Sequence, residues 1–442
     1  MKERIENNTE KNMYEKVWDV IVIGGGPAGM MAAARAAEIL NAKNDEIEST
    51  AQPGKSRVLL VEKNETLGKK LLITGGGRCN VTNSELDTRK FLEKFKDAGK
   101  FLFSAFSQYG VQEALDFFHM QNVETKVENE LRTFPLSNSA QSIWDALFNN
   151  LMTQHVTVLS LSPVTEIIRE QGNIVGVKIK NQPIIYGHSI IIATGGTSRP
   201  ETGSTGDAYA WLRDLGHTVI EPTPSLVPLV LKESWIKRLA GVSIPDVKIT
   251  VLQNNQKQET KKGKILFTHV GVSGPTILNM SRDIGELLKY GEVALSLDIL
   301  PGLDYGMLNS RLQEIFKLND KKKLQNALAD LVPTALVSTI LEISQINGDT
   351  PCNSVTREER LKLVETIKSI PLHVEKLLGV EKAIITSGGV ALDEVDFKTM
   401  RSRLYPNLYL IGDILNIDRP SGGYSLQLCW TTGYVAGSSI EN

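Results

Sequence analysis

Four apolar residues, Val20 to Ile23, run without interruption into a glycine cluster, and the cluster opens onto an alanine- and methionine-rich segment. An unbroken apolar run of this kind fits a parallel strand buried on both faces. The pattern predicts a strand over Asp19–Ile23, a helix over Pro27–Leu40 and a second strand over Val58–Glu62. Between that helix and strand, Asn41–Ser56 is polar, carries Pro53-Gly54 and reads as a surface excursion. Lys90–Phe118 is helical in pattern. Ala140–Met152 predicts another helix, with Ser137 or Asn138 as its cap.

From Val156 the texture changes to short strands separated by polar turns, such as Gln171-Gly172-Asn173, which predicts an antiparallel meander. It ends in Ser189–Gly196, a buried strand running into glycines. Beyond Pro200 come strand-like runs that suit a barrel or sandwich, and Asp304–Ser369 is mostly helical, broken at Pro333 and around Gly348–Pro351. Glycine-rich α/β texture then returns. The expected organisation is an α/β domain over 17–200 and 381–442, interrupted by a β insert over 201–302 with a return strand at 370–380, which itself carries a helical insert at 303–369.

Composition narrows the choice of partner. The 442 residues are 41% hydrophobic and 23% charged, and the formal net charge is −2, which argues against nucleic-acid binding driven by phosphate attraction. The basic runs at Lys261–Lys264 and Lys321–Lys323 sit in polar surroundings and read as solvated surface. Cys79, Cys352 and Cys429 form no C-x-x-C pair, and the six histidines are scattered, so no metal site is expected. This cysteine usage suits a reducing cytoplasm. Met1–Lys16 is polar rather than signal-like, and no run approaches the ~18 apolar residues of a membrane span, so no membrane partner is expected.

Gly24-x-Gly26-x-x-Gly29, enclosing Pro27 and Ala28, is the dinucleotide fingerprint in its proper setting, after a buried strand and at the start of a helix. The first glycine permits the tight turn, the second admits the pyrophosphate, and the third lets helix and strand pack closely. Glu62 stands 38 positions after Gly24. Without the 16-residue excursion the gap is 22, which makes Glu62 the acid expected on the ribose hydroxyls. Two further strand ends favour FAD over a nicotinamide: Ile190–Gly196, which carries Thr194 and Gly195, and Leu408–Asp413, whose Gly412 and Asp413 suit the ribityl chain. No second fingerprint follows a strand, so a separate nicotinamide domain is not expected.

The segment Leu67–Asn83, "LGKKLLITGGGRCNVTN", resembles the hallmark of the bacterial flavoprotein family that includes aminoacetone oxidases and a bile-acid 4,6-dehydro reductase. Matching motifs lie at Thr133–Ala140, Ala193–His217, Pro224–Leu229 and Leu266–Leu278, and in the final stretch from Gly412. The resemblance implies an α/β fold: a Rossmann-type FAD-binding domain with a β-barrel insert that carries a small helical insert. It places Gly24, Gly26, Gly29, Glu62 and Lys63 on the ADP half of FAD, and the backbone of Val164 on adenine. It also places Lys70 among the cofactor-binding residues, and sets the loop containing Gly75, Gly76, Arg78, Cys79 and Asn80 beside the pyrophosphate or flavin. Asp413 and the Gly422-Gly423-Tyr424 turn would hold the ribityl chain and isoalloxazine.

Arg78 offers a fixed charge for phosphate or reduced flavin, against the alternative of a surface or capping arginine. Cys79 reads as packing rather than as a nucleophile, and Tyr424 either meets the flavin or is a structural aromatic. The implied activity is a FAD-dependent oxidoreductase that exchanges a hydride between flavin and a small organic substrate, with NAD(P)H as a transient reductant. An oxygen-dependent amine oxidase is the alternative. A flavin-dependent RNA-modifying protein is a further one, opposed by the net charge. No catalytic acid or base is identified.

Overall fold

The computed structural model describes residue 14, residues 16–47 and residues 57–440. It divides into two compact units, one of residues 1–224 with 384–442 and the other of residues 225–383. The first unit therefore reaches Pro224 instead of ending at residue 200, because helix Asp207–Asp214 belongs to it.

The first unit is built on a nine-stranded sheet. Its central order is Leu408–Leu410, Ile184–Ile192, Val17–Ile23, Val58–Val61 and Thr157–Leu159, all parallel. Side chains from Val20 to Ile23 and from Val58 to Val61 are at most 4% exposed, which is why these strands carry no polar alternation. The register aligns the strand ends. Ile23 lies opposite both Val61 and Ile192, and Ile192 lies opposite Leu410. The residues after these strands, among them Gly24, Glu62, Thr194 and Gly412, therefore emerge at one carboxyl edge, where open α/β sheets bind their ligands.

Helix Pro27–Ile47 covers this sheet and runs beyond the expected end at Leu40, so the first part of the polar excursion is helical. Residues 48–56 lie outside the described residues. Helix Tyr424–Ser438 packs on it at close range: a Cβ on Gly433 would lie 2.6 Å from the Ala28 carbonyl oxygen, and one on Gly437 2.7 Å from that of Ala32. The small residues of both helices permit this approach.

Three local expectations change. The helical run from Lys90 breaks into Thr88–Glu93, Gly99–Phe106 and Val111–Met120, with breaks near Gly99 and Gly110. Helix Ala140–Thr153 is capped by Ser139, whose hydroxyl accepts the Gln141 N–H at 3.3 Å, and not by Ser137 or Asn138. Thr157–Leu159 is a parallel neighbour of Val58–Val61, so the meander proper is Val164–Glu170, Asn173–Ile179 and Ile184–Ile192.

The second unit contains a closed six-stranded antiparallel barrel in the order Leu229–Leu231, Gly271–Ser273, Gln256–Phe267, Ser243–Gln253, Val293–Asp298 and Ile370–Leu377. The helical insert comprises Tyr305–Leu318, Leu324–Leu328, Thr334–Ser344 and Arg357–Lys368, and it shares one apolar core with the barrel. The Lys368 ammonium reaches the Asp298 carboxylate at 2.6 Å, a buried ion pair that fastens insert to barrel.

Candidate functional site

A cleft of about 490 Å³ lies at the carboxyl edge of the parallel strands, and the residues that form its walls at that edge belong to the first unit. The three fingerprint glycines meet three different demands there. Gly24 has φ +104°, and a Cβ on it would lie 2.6 Å from the Ala193 carbonyl oxygen. A Cβ on Gly29 would lie 1.9 Å from the Gly24 carbonyl oxygen, so only glycine lets helix and strand meet. Gly26 is different: nothing lies within 4 Å of the place its Cβ would take, and Gly26 lines the cleft with Pro27 and Ala28. That free volume at a helix N-terminus is a cradle for an anion.

Glu62 is 8% exposed and stands over the same turn. Its Oε2 accepts the Gly25 N–H at 2.8 Å, and its Oε1 accepts the Asn64 N–H and side-chain amide, each at 2.8 Å. A carboxylate has acceptor capacity left beyond these bonds, so ribose hydroxyls can still donate to it. Lys63 pairs with Asp207 at 2.7 Å and also reaches the Thr205 hydroxyl. Burial pushes the Asp207 carboxyl up, but the Lys63 and Thr205 contacts outweigh it and hold the group below the usual carboxylate range. Ser162, Val164 and Trp211 complete this end.

Lys70, Thr74, Gly75, Gly76, Gly412, Asp413, Ser425 and Cys429 also line the cleft. Thr194 and Gly195 also line the cleft, and the Thr194 hydroxyl is buried with no hydrogen-bond partner among the described residues. A buried hydroxyl without a partner, on a residue of the cleft wall, is a group that a polar ligand could satisfy. Asp413 forms an ion pair with the fully buried Arg419 side chain. Arg419 also donates to the Ile417 carbonyl at 2.7 Å and to the Ser425 hydroxyl at 2.9 Å. Sequence reasoning missed Arg419. The Asp413–Arg419 spacing across a turn was the signal available.

Gly29, Arg78, Cys79, Asn80, Gly422, Gly423 and Tyr424 do not line this cleft. The Arg78 guanidinium is taken up by Glu128 at 2.5 Å and lies over the Phe134 ring at 4.0 Å. Burial pushes the Cys79 thiol up to about 12, which fits the packing reading. The Asn80 amide bridges the Thr82 and Thr133 carbonyls and accepts the Gly423 N–H at 3.0 Å. Gly423 passes so close to strand Thr82–Asn83 that a Cβ would lie 2.2 Å from the Thr82 carbonyl carbon. Tyr424 packs against Phe91 and Phe95 with ring centroids at 4.8 and 6.0 Å. Burial also pushes the Cys429 thiol up to about 12.

Among the described residues no cluster of His, Cys, Asp or Glu suits a metal ion, and no helix is long and apolar enough to cross a membrane. The site thus offers a phosphate cradle, a ribose acid, an orphan hydroxyl and an acid at a strand end along one cleft, and these fit a flavin dinucleotide.

Comparison with known proteins agrees with this geometry. The family model described as HI0933-like protein Rossmann domain matches residues 18–439. The chain is 30% identical over 425 residues to the 3-dehydro-bile acid delta(4,6)-reductase of Clostridium scindens, covering 94% of this chain and 97% of that protein. It is 29% identical to the ribosomal RNA dihydrouridine synthase of Escherichia coli, over 96% of this chain and 98% of the other. Among solved structures, a flavocytochrome c3 fumarate reductase aligns at a TM-score of 0.53 and 15% identity, over 100% of this chain and 80% of that one. A 3-ketosteroid-delta4-(5alpha)-dehydrogenase from Rhodococcus jostii aligns at 0.52 and 13% identity, over 97% of each. The structural likenesses show the shared fold.

Proposed function

The chain belongs to the HI0933-like Rossmann family of FAD-dependent oxidoreductases, and from that premise we propose that it reduces a carbon–carbon double bond conjugated to a carbonyl, drawing electrons from transiently bound NAD(P)H. The observation that carries this reading is the chemistry shared by the relatives' names. A delta(4,6)-reductase acting on a 3-dehydro steroid saturates an alkene conjugated to a ketone. A dihydrouridine synthase saturates the uracil double bond, which is conjugated to a ring carbonyl. In both substrates the carbonyl makes the distal alkene carbon electrophilic and therefore a hydride acceptor.

FAD, when bound, supplies the hydride exchange. The chain's own part is to bind and orient it. The Gly24–Gly26 turn and the helix beginning at Pro27 would hold the pyrophosphate, and Glu62 the ribose hydroxyls. The Val164 backbone would take adenine, and Thr194 and Asp413 the ribityl chain. Lys63, with its charge committed to Asp207, shapes the adenosine end.

The substrate we favour is a small organic molecule, since a net charge of −2 gives RNA little electrostatic draw. RNA is the second reading, supported by the dihydrouridine synthases of Escherichia coli and Haemophilus influenzae, which match over 96% and 95% of this chain. One experiment separates the two. The purified protein with NADPH is given either a conjugated steroid ketone or unmodified ribosomal RNA, and the products are read by mass spectrometry. A saturated ketone with no dihydrouridine supports the small-molecule reading, and dihydrouridine alone replaces it with the RNA reading. No reduction of either substrate by the flavin-loaded protein removes the proposal.

A further inference from the structure

Four cationic side chains line the cleft, and they differ in what neutralises them. Lys63 is paired with Asp207 at 2.7 Å and Arg199 with Glu201 at 3.5 Å, while Lys69 is exposed to water. Lys70 has no carboxylate partner and is only half-exposed, on the cleft wall. Its ammonium makes one hydrogen bond, to the neutral Ser198 hydroxyl at 3.1 Å, and no ion pair among the described residues. Asp413, the nearest acid in electrostatic influence, is already committed to Arg419.

The tether is itself held in place. The Thr386 hydroxyl accepts the Thr197 N–H at 2.7 Å and the Ser198 N–H at 3.1 Å. Gly196 makes room for this, because a Cβ there would lie 2.2 Å from the same hydroxyl oxygen. Strand Ile385–Val390 thus fixes the loop after Ile192, the loop fixes Ser198, and Ser198 fixes Lys70 at the cleft wall. A partly buried cation held this way is costly unless an anion arrives to meet it.

We propose that Lys70 is the reserved counter-charge for an anionic group of the bound flavin dinucleotide, either its pyrophosphate or the isoalloxazine ring in its reduced, negatively charged form. The inference rests on the cofactor assignment above. Burial lowers the Lys70 ammonium from its ordinary value, opposed by the charge of Asp413, and a docked anion reverses that shift.

The test uses apo-protein titrated with oxidised and with reduced FAD, for the wild type, Lys70→Met, Lys70→Gln, Lys70→Arg and Ser198→Ala. Lys70→Met is expected to weaken FAD binding at least tenfold, while the apo form melts no lower than the wild type, because an uncompensated charge has been removed. An equal loss for both redox forms assigns the charge to the pyrophosphate, and a larger loss for reduced FAD assigns it to the ring. Lys70→Arg should recover most of the affinity, and Ser198→Ala should lose severalfold. Lys70→Met binding both forms within twofold of the wild type overturns the proposal. Should Lys70→Met fail to fold, an unchanged affinity in Ser198→Ala together with a Lys70→Arg affinity no better than that of Lys70→Gln overturns it equally. Failure of wild-type protein to bind FAD at all would instead refute the cofactor assignment.

Discussion

Glu62 accepts the backbone N–H of Gly25 at 2.8 Å, joining two elements 37 residues apart in the chain. The acid expected to bind ribose is therefore also the group that holds the phosphate-binding turn in shape. Glu62→Ala leaves the Gly25 and Asn64 donors without their acceptor. The expected cost is ~1–3 kcal/mol of apo-protein stability, with FAD binding weakened beyond what the lost ribose contact alone would cause. Glu62→Gln, which keeps one carbonyl acceptor, should fall between Glu62→Ala and the wild type. Chemical denaturation and FAD titration of the same variants measure both effects.

The fingerprint glycines should separate in kind. Gly26→Ala adds a methyl where the fold leaves free space, so the apo-protein should keep its melting temperature to within a degree or two and lose FAD. Gly29→Ala drives the same methyl to 1.9 Å from the Gly24 carbonyl oxygen, so it should lower stability by several kcal/mol even without cofactor, on the order of an overpacked core site. Circular-dichroism melts of both apo variants, followed by FAD content, check the contrast. Equal effects on stability would contradict the roles assigned to the two positions.

Asp413 carries a structural duty alongside its proposed cofactor contact. Asp413→Ala leaves the Arg419 guanidinium buried and unpaired, at an expected cost of ~3–5 kcal/mol. The double variant Asp413→Ala with Arg419→Met should be markedly less destabilised than the sum of the two single changes. Excess FAD should restore only part of the single variant's melting temperature. Additive single effects would show that the pair is uncoupled.

Burial pushes the Cys79 and Cys429 thiols up to about 12, and Cys79, which is fully buried, should resist thiol reagents in the folded protein at neutral pH. Their folded values lie above the unfolded ones, so the stability they contribute is fully present below about pH 9 and is lost as pH rises toward 12. Stability should fall across that alkaline window, and the fall should shrink in a Cys79→Ala, Cys429→Ala variant. Rapid labelling of Cys79 in the native protein at pH 7 would contradict its burial.

How much of this was legible in the sequence depends on the range of the interaction. Val20–Ile23, the three glycines and Glu62 announce themselves because strand, turn and helix are set locally, and the chain-length excess before Glu62 is absorbed by helix Pro27–Ile47 and the residues after it. The barrel strands show in their alternation. The Arg78–Glu128 pair was hidden because Glu128 lies 50 positions away and nothing in "GGGRCN" points to it. The packing of Tyr424 was hidden for the same reason, since Phe91 and Phe95 meet its ring from a distant helix and the loop after that helix. Thr386 and Ser198, which set Lys70, meet across 188 residues and carry no motif of their own.

On the proposed function, reduced pyridine nucleotide enters and a saturated carbonyl compound leaves, by way of FAD held along the cleft lined by Glu62 and Asp413. Anaerobic stopped-flow absorbance of the FAD-loaded protein tests it most directly. NADPH or NADH should bleach the flavin, and a conjugated steroid ketone added next, still without oxygen, should restore the yellow colour in step with formation of the saturated product. A flavin that neither nucleotide bleaches, that aminoacetone does bleach, and whose colour only oxygen brings back would contradict it.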